Sequence, residues 1–154
     1  MSQLATIGLA RTDEAGQIAQ MSRDLIEHGL KWSWTQHRVE RHIRDRDSSV
    51  VVARSDSGVV AFAIMHFGEE KAHLNLLAVS REWRRQAYGS RLIDWLMKSA
   101  QTAGILRIDL ELRAHNAGAR SFYEQLGFAV TGLKPQYYAG VEPALTMSRK
   151  LKAS

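Results

Sequence analysis

The densest chemistry in this sequence lies between Val79 and Arg91, where Val79-Ser80-Arg81-Glu82-Trp83-Arg84-Arg85-Gln86-Ala87-Tyr88-Gly89-Ser90-Arg91 joins an apolar run to a helical one. Arginines lead into the small residues Ala87, Gly89 and Ser90 at the point where a helix is expected to begin. The first amides of a helix lack intrahelical partners and its dipole is positive at that end, so an anion is stabilised there if the side chains are small. The Gly-Lys-Ser or Gly-Lys-Thr ending of a P-loop is missing, as are the three spaced glycines of a dinucleotide fold, which disfavours ATP and NAD. On charge and spacing alone, a surface loop with solvated arginines is an equal reading.

Acid–base candidates flank this segment. Leu106 to Arg113 alternates, with Ile108, Leu110 and Leu112 on one face and Asp109, Glu111 and Arg113 on the other. Glu111 is the candidate general base, against a reading in which the three charged residues of that face pair with one another. His73, on the preceding strand, is the rival base, because an unperturbed histidine titrates close to neutrality. There are no cysteines, which excludes disulfides, thiolate metal sites and cysteine nucleophiles. His37 and His42 are five apart and off a common helix face, and no His-x-His or His-Glu-x-x-His pattern occurs, so no metal is expected.

These residues must be held by a framework that is largely legible. With 154 residues, 45% hydrophobic and 24% charged, the chain is expected to form one domain over residues 1–154. No apolar run approaches the ~20 residues that span a bilayer, and the first ten residues lack the pattern of a secretory signal, so a soluble cytoplasmic protein is expected. The 21 basic against 16 acidic side chains, net +5, suit an anionic partner. Thr6 to Ala10 reads as a strand. Thr12 and Asp13 cap a helix carrying Ile18, Met21 and Leu25 and ending before Gly29, and a second helix starts at Thr35. Ser49 to Ala53 and Val59 to Phe67 form a hairpin across Ser55-Asp56-Ser57-Gly58, and Ala72 to Val79 is a largely apolar strand. The best helix runs from Tyr88 to Ala103, before Gly104. Leu106 to Arg113 is a strand, Asn116 caps a helix through Phe122 to Gly127, and Phe128 to Leu133 and Ala144 to Leu151 are terminal strands. The fold class is α/β (α+β), a mixed sheet with helices packed against it.

Arg84-x-x-Ala87-x-Gly89 resembles the Gln/Arg-x-x-Gly-x-Gly/Ala pyrophosphate loop of the GCN5-related N-acetyltransferases (GNAT), and Asn116-x-x-Ala119-x-x-x-Tyr123-Glu124-x-Leu126-Gly127-Phe128 is similar to the family's second signature. The element order matches along nearly the whole chain. The resemblance implies a mostly antiparallel sheet of about seven strands with four helices on both faces. It implies acetyl-CoA as acetyl donor, with Arg84, Arg85, Gln86, Ala87, Tyr88, Gly89, Ser90, Asn116 and Tyr123 at the cofactor. It further implies that the backbone amides of Leu77, Ala78 and Val79 hold the pantetheine. Ala87 replaces a family glycine and is expected to be helical, where alanine costs little.

Tyr123 matches the tyrosine that donates a proton to the departing thiolate, a transfer between groups whose ordinary pKa values differ by only ~1.5 units. Read without the motif, it is a core aromatic beside Phe122. The twelve-residue spacing from Glu111 to Tyr123, with Leu110-Glu111-x-Arg113, resembles the members that acetylate ribosomal-protein alanine. Tyr137 and Tyr138 resemble that group's paired tyrosines on the substrate side. Trp32 and Trp34 fall where the family's first two helices wall the acceptor site, and core packing is an equal reading.

The leading expectation is an enzyme that acetylates a primary amine, either a protein N-terminal α-amino group or a small molecule. It would act as a monomer or homodimer, with no membrane or nucleic acid partner. A non-catalytic acyl-CoA-binding regulatory domain would need Arg84 to Ser90 but not Glu111 and Tyr123. A nucleic-acid-binding domain would spread basic and aromatic residues over one surface, whereas here the arginines gather at one loop.

Overall fold

The computed structural model describes residues 4–138 and 142–152. Seven strands form one sheet in the order β1-β2-β3-β4-β5-β7-β6. They are β1 (Thr6–Leu9), β2 (Ser48–Ser55), β3 (Gly58–Phe67), β4 (Lys71–Val79), β5 (Arg107–Arg113), β6 (Ala129–Tyr138) and β7 (Glu142–Lys150). The helices are α1 (Ala15–Met21), α2 (Gln36–Arg44), α3 (Tyr88–Thr102) and α4 (Ala117–Gln125). The expected mixed, mostly antiparallel sheet with four helices is what the described residues form. Among the described residues no helix is long and apolar enough to cross a membrane.

The chain divides into two compact units, Met1–His66 with Leu74–Ser99, and Phe67–His73 with Ala100–Ser154. In the first, β1, β2 and β3 are antiparallel neighbours, with Thr6↔Arg54 and Val51↔Ala63 in register. Its core joins Val50, Val52, Phe62, Ile64, Leu76 and Ala78 of the strands to Ile18 and Ala19 of α1, Val39 of α2 and Trp34 of the connection before α2. Thr35 starts α2 as its residue type demands, its side chain accepting from the Arg38 amide at 3.4 Å. The first helix departs from expectation in its last turn. Ser22–Ile26 is a π-turn, closed by the Glu27 amide donating to the Ser22 carbonyl at 2.8 Å.

In the second unit β5 pairs β7 antiparallel over its whole length, from Arg107↔Lys150 to Arg113↔Ala144. Ile108, Leu110 and Leu112 of β5 are buried, as their alternation dictates. Gly104 takes φ +82 just past α3, the left-handed turn that a glycine supplies at a helix end. Asn116 caps α4 by accepting from the Ala119 amide at 3.0 Å. Strand β6 runs five residues beyond the expected Leu133, to Tyr138. Pro135 interrupts the strand signal, but β6 pairs only β7, and a sheet edge tolerates a residue with no N–H to offer outward.

Candidate active site

The phosphate-binding candidate is built on β4 and the loop that leaves it. Val79 ends the strand, and the Ser80 amide donates to the Val60 carbonyl at 2.8 Å. A single 3₁₀ turn, Arg81–Trp83, then drops Trp83 into the interior, where it meets Tyr88 edge-on at 5.7 Å between ring centroids. Tyr88 is buried and its hydroxyl accepts from the Ala5 amide at 2.9 Å, so this ring is turned into the protein and away from the helix start. The chain between these two aromatic anchors is exposed from Arg84 to Ala87. Arg84 Nε donates to the Val79 carbonyl at 3.2 Å, and Gln86 Nε2 to the Glu82 carbonyl at 3.3 Å, closing the loop on itself.

Ala87 corrects an expectation. It is not helical: its φ is +66, and Arg85 two residues earlier is at +62. The Ala87 carbonyl accepts the first bond of α3, from the Arg91 amide at 3.0 Å, so the residue stands at the helix entrance in the left-handed region. A β-carbon there crowds the following carbonyl and costs about 1 kcal/mol relative to glycine. The loop therefore adopts a backbone that glycine would take without strain, and alanine bears the strain. Gly89 and Ser90 keep the side chains small at the start of a fifteen-residue helix, as an anion site there requires. This arrangement fits a pyrophosphate: positive dipole end, small residues, and arginine side chains on the approach.

In the second unit, the parallel ladder of β4 with β5 covers Lys71↔Arg107, Ala72↔Ile108 and His73↔Asp109. That register sets His73 beside the charged face of β5. His73 Nε2 lies 2.6 Å from Glu111 Oε1, and the Tyr137 hydroxyl donates to the same oxygen at 3.2 Å. A carboxylate only accepts, so the proton of the short contact belongs to the histidine nitrogen. Lys134 Nζ stands 4.0 Å from Glu111 Oε2, a neighbour that no sequence pattern indicated. The hydrogen bond from His73 holds the Glu111 carboxyl below its ordinary range; burial opposes this, while the charges of His73 and Lys134 and the Tyr137 hydroxyl reinforce it. The two candidate bases are thus one hydrogen-bonded pair.

The other charges of that face find separate partners. Asp109 takes Arg107 at 2.9 Å and the Ser148 hydroxyl at 2.6 Å, and Arg113 lies 3.5 Å from Glu142. Mutual pairing of Asp109, Glu111 and Arg113 is therefore not what occupies Glu111. Tyr123 is buried on α4, edge-on to Phe122 at 5.1 Å and Phe128 at 5.6 Å. The side chain of Tyr138 lies outside the described residues. The two tryptophans separate. Trp34 packs in the core beneath the Arg38 guanidinium, 3.8 Å from its ring centroid. Trp32 is 36% exposed, lies under Arg23 at 5.3 Å, and borders a cavity of about 450 Å³. Among the described residues no three His, Cys, Asp or Glu groups come together as a metal site would require.

The acetyltransferase (GNAT) family pattern matches residues 18–128. Over 154 aligned residues the chain is 34% identical to the [Ribosomal protein bS18]-alanine N-acetyltransferase of Salmonella typhimurium, covering 96% of this chain and 97% of that protein. It is 27% identical to an N-alpha-acetyltransferase of Saccharolobus solfataricus over 95% of this chain and 93% of that one. Among solved structures, Ard1 from Thermoplasma volcanium superposes with a TM-score of 0.86 at 26% identity, covering 97% of this chain and 99% of that one.

Proposed function

This chain belongs to the acetyltransferase (GNAT) family and is an acetyl-CoA-dependent acyltransferase, and on that premise we propose that it acetylates the N-terminal α-amino group of a protein. The observation that carries the reading is end-to-end similarity, at 34% identity, to a protein named for acetylating the alanine of a ribosomal protein. We read residues 1–154 as one catalytic domain.

Each residue then has a task. The amides of Tyr88, Gly89 and Ser90, with Arg84, Arg85, Gln86 and Ala87, hold the pyrophosphate, and the Leu77, Ala78 and Val79 amides hold the pantetheine. Asn116 caps α4 and so sets the helix that carries Tyr123. Glu111 of the His73–Glu111 pair accepts one proton from the acceptor ammonium, leaving a lone pair to attack the acetyl carbonyl, while His73 and Tyr137 keep their hydrogen bonds to its carboxyl group. As the carbon–sulfur bond breaks, the Tyr123 hydroxyl gives its proton to the thiolate; the attacking nitrogen sheds its second proton as the amide forms, which restores the tyrosine, and the proton taken by the base passes to solvent, so protons and electron pairs balance across the transfer. Trp32, Tyr137 and Tyr138 take the acceptor.

A coenzyme A-release assay over N-terminal peptides, polyamines, amino acids and aminoglycosides tests the reading. Turnover confined to peptides with a free α-amino group is the expected result. Turnover on a small amine alone overturns the substrate class, and acetyl-CoA binding with no turnover on any acceptor supports a regulatory domain instead.

A further inference from the structure

Glu27 is a carboxylate with 7% exposure in the segment between α1 and α2, and its surroundings identify its work. The π-turn at Ser22–Ile26 brings residues five apart into register, so the Ser22 hydroxyl reaches Glu27 Oε2 at 2.9 Å. From the far end of the segment, the Ser33 amide and the Ser33 hydroxyl each donate to Oε1 at 2.7 Å, and the Trp34 amide does so at 3.3 Å. The carboxylate therefore ties the exit of the first helix to the two residues before the Thr35 cap of α2. Between these ties the chain turns through Gly29, at φ +79, and presents Trp32 at the surface under Arg23. Glu27 forms the inner wall of the cavity there, whose rim carries Arg23, Asp24, His28 and Trp32. A buried charge with this many donors is stabilising only while all are engaged, which makes it a single-geometry device.

We propose that Glu27 is a positioning residue for the acceptor: by closing the segment from residue 27 to 34 it fixes the Trp32 indole in the orientation that meets the incoming amine. This rests on the reading of Trp32 as an acceptor contact. An amide is a weaker replacement for the carboxylate: its single oxygen can keep the Ser33 and Trp34 donors, but its NH₂ group must turn the Ser22 hydroxyl from donor to acceptor, and the charge that strengthens each of these bonds is lost.

The test is steady-state kinetics of the full chain with the acceptor that the panel identifies, on Glu27→Gln, Ser33→Ala, Trp32→Ala and the Glu27→Gln/Trp32→Ala double variant. Glu27→Gln is expected to raise the acceptor KM about ten-fold, with kcat and the acetyl-CoA KM changed by no more than about two-fold. Ser33→Ala shifts the acceptor KM in the same direction by less. In the Trp32→Ala background Glu27→Gln adds no more than about two-fold, since its action passes through Trp32. Equal effects in both backgrounds, or a fall in kcat and both affinities together with the melting temperature, overturn the proposal. A silent Trp32→Ala overturns the acceptor-wall reading itself, whereas an effective Trp32→Ala with a silent Glu27→Gln overturns the positioning role alone. If Glu27→Gln does not fold, a silent Ser33→Ala overturns the positioning role in its place.

Discussion

His73 Nε2 and Glu111 Oε1 are 2.6 Å apart, although the two residues are 38 positions apart in sequence. The three-pair parallel ladder between β4 and β5 makes this contact, with Asp109, not Glu111, directly opposite His73. That bond favours the ionised form of the carboxylate, and on the proposed reading Glu111 acts as base as one member of this pair.

Substitution of either member separates their shares. Glu111→Gln is expected to lower kcat about 10²-fold, within the range general-base catalysis contributes, and His73→Ala by less. Because Glu111 is held below its ordinary carboxylate range, the wild-type activity should not fall off through loss of its charge until the medium is well acidic. A pH–rate profile in which His73→Ala alone removes the acid limb of the curve would transfer the base role to His73.

Tyr123→Phe removes one hydroxyl from a ring that Phe122 and Phe128 already hold in place. Turnover is expected to fall at least about ten-fold while acetyl-CoA affinity stays within about two-fold, the signature of an interaction used only in the transition state. Single-turnover rates and equilibrium binding of acetyl-CoA check this, and unchanged turnover removes Tyr123 from the mechanism.

Ala87→Gly relieves a left-handed alanine at φ +66. Stability is expected to rise by up to about 1 kcal/mol, the steric relief being partly offset by the greater freedom of glycine in the unfolded chain. Acetyl-CoA should bind at least as well. Urea unfolding and a binding titration measure both, and a loss of stability would show that the loop does not strain the alanine.

Glu14 is a second buried acid with a different task. Its carboxylate accepts from Arg54 at 2.6 and 2.9 Å and from the Arg11 amide at 2.8 Å, tying the start of α1 to β2. The Arg54 hydrogen bond lowers its pKa below the ordinary 4.5, against the opposing effect of burial. A carboxyl depressed in the folded state is stabilising above its unfolded pKa, and that contribution is lost as pH falls through the folded value. Glu14→Gln is expected to destabilise by about 1–2 kcal/mol at neutral pH, by removing the charge that the part-buried Arg54 pairs with, and to flatten the stability curve below pH 4.5. Thermal melts across acid pH provide the check.

Much of this fold is written locally. Thr35 and Asn116 begin helices because their side chains can take an orphan amide, and Gly104 ends one because it tolerates a left-handed turn. The buried face of β5 follows from strict alternation. The loop before α3 is equally legible as a pattern of small and basic residues, which two motifs in order turn into the expectation of an acetyl-CoA site. Three features were decided only by tertiary structure, for one shared reason. The positive φ of Ala87 is imposed by its flanking anchors, Trp83 and Tyr88, against the preference of alanine itself. The union of His73 with Glu111 depends on strand register, and no spacing within either strand reports it. The burial of Glu27 depends on a π-turn that shifts it inward and on donors from the far end of its loop. Local residue preferences carry information only about neighbours in the chain, whereas strain, charge pairing and buried carboxylates are settled by what packing brings alongside.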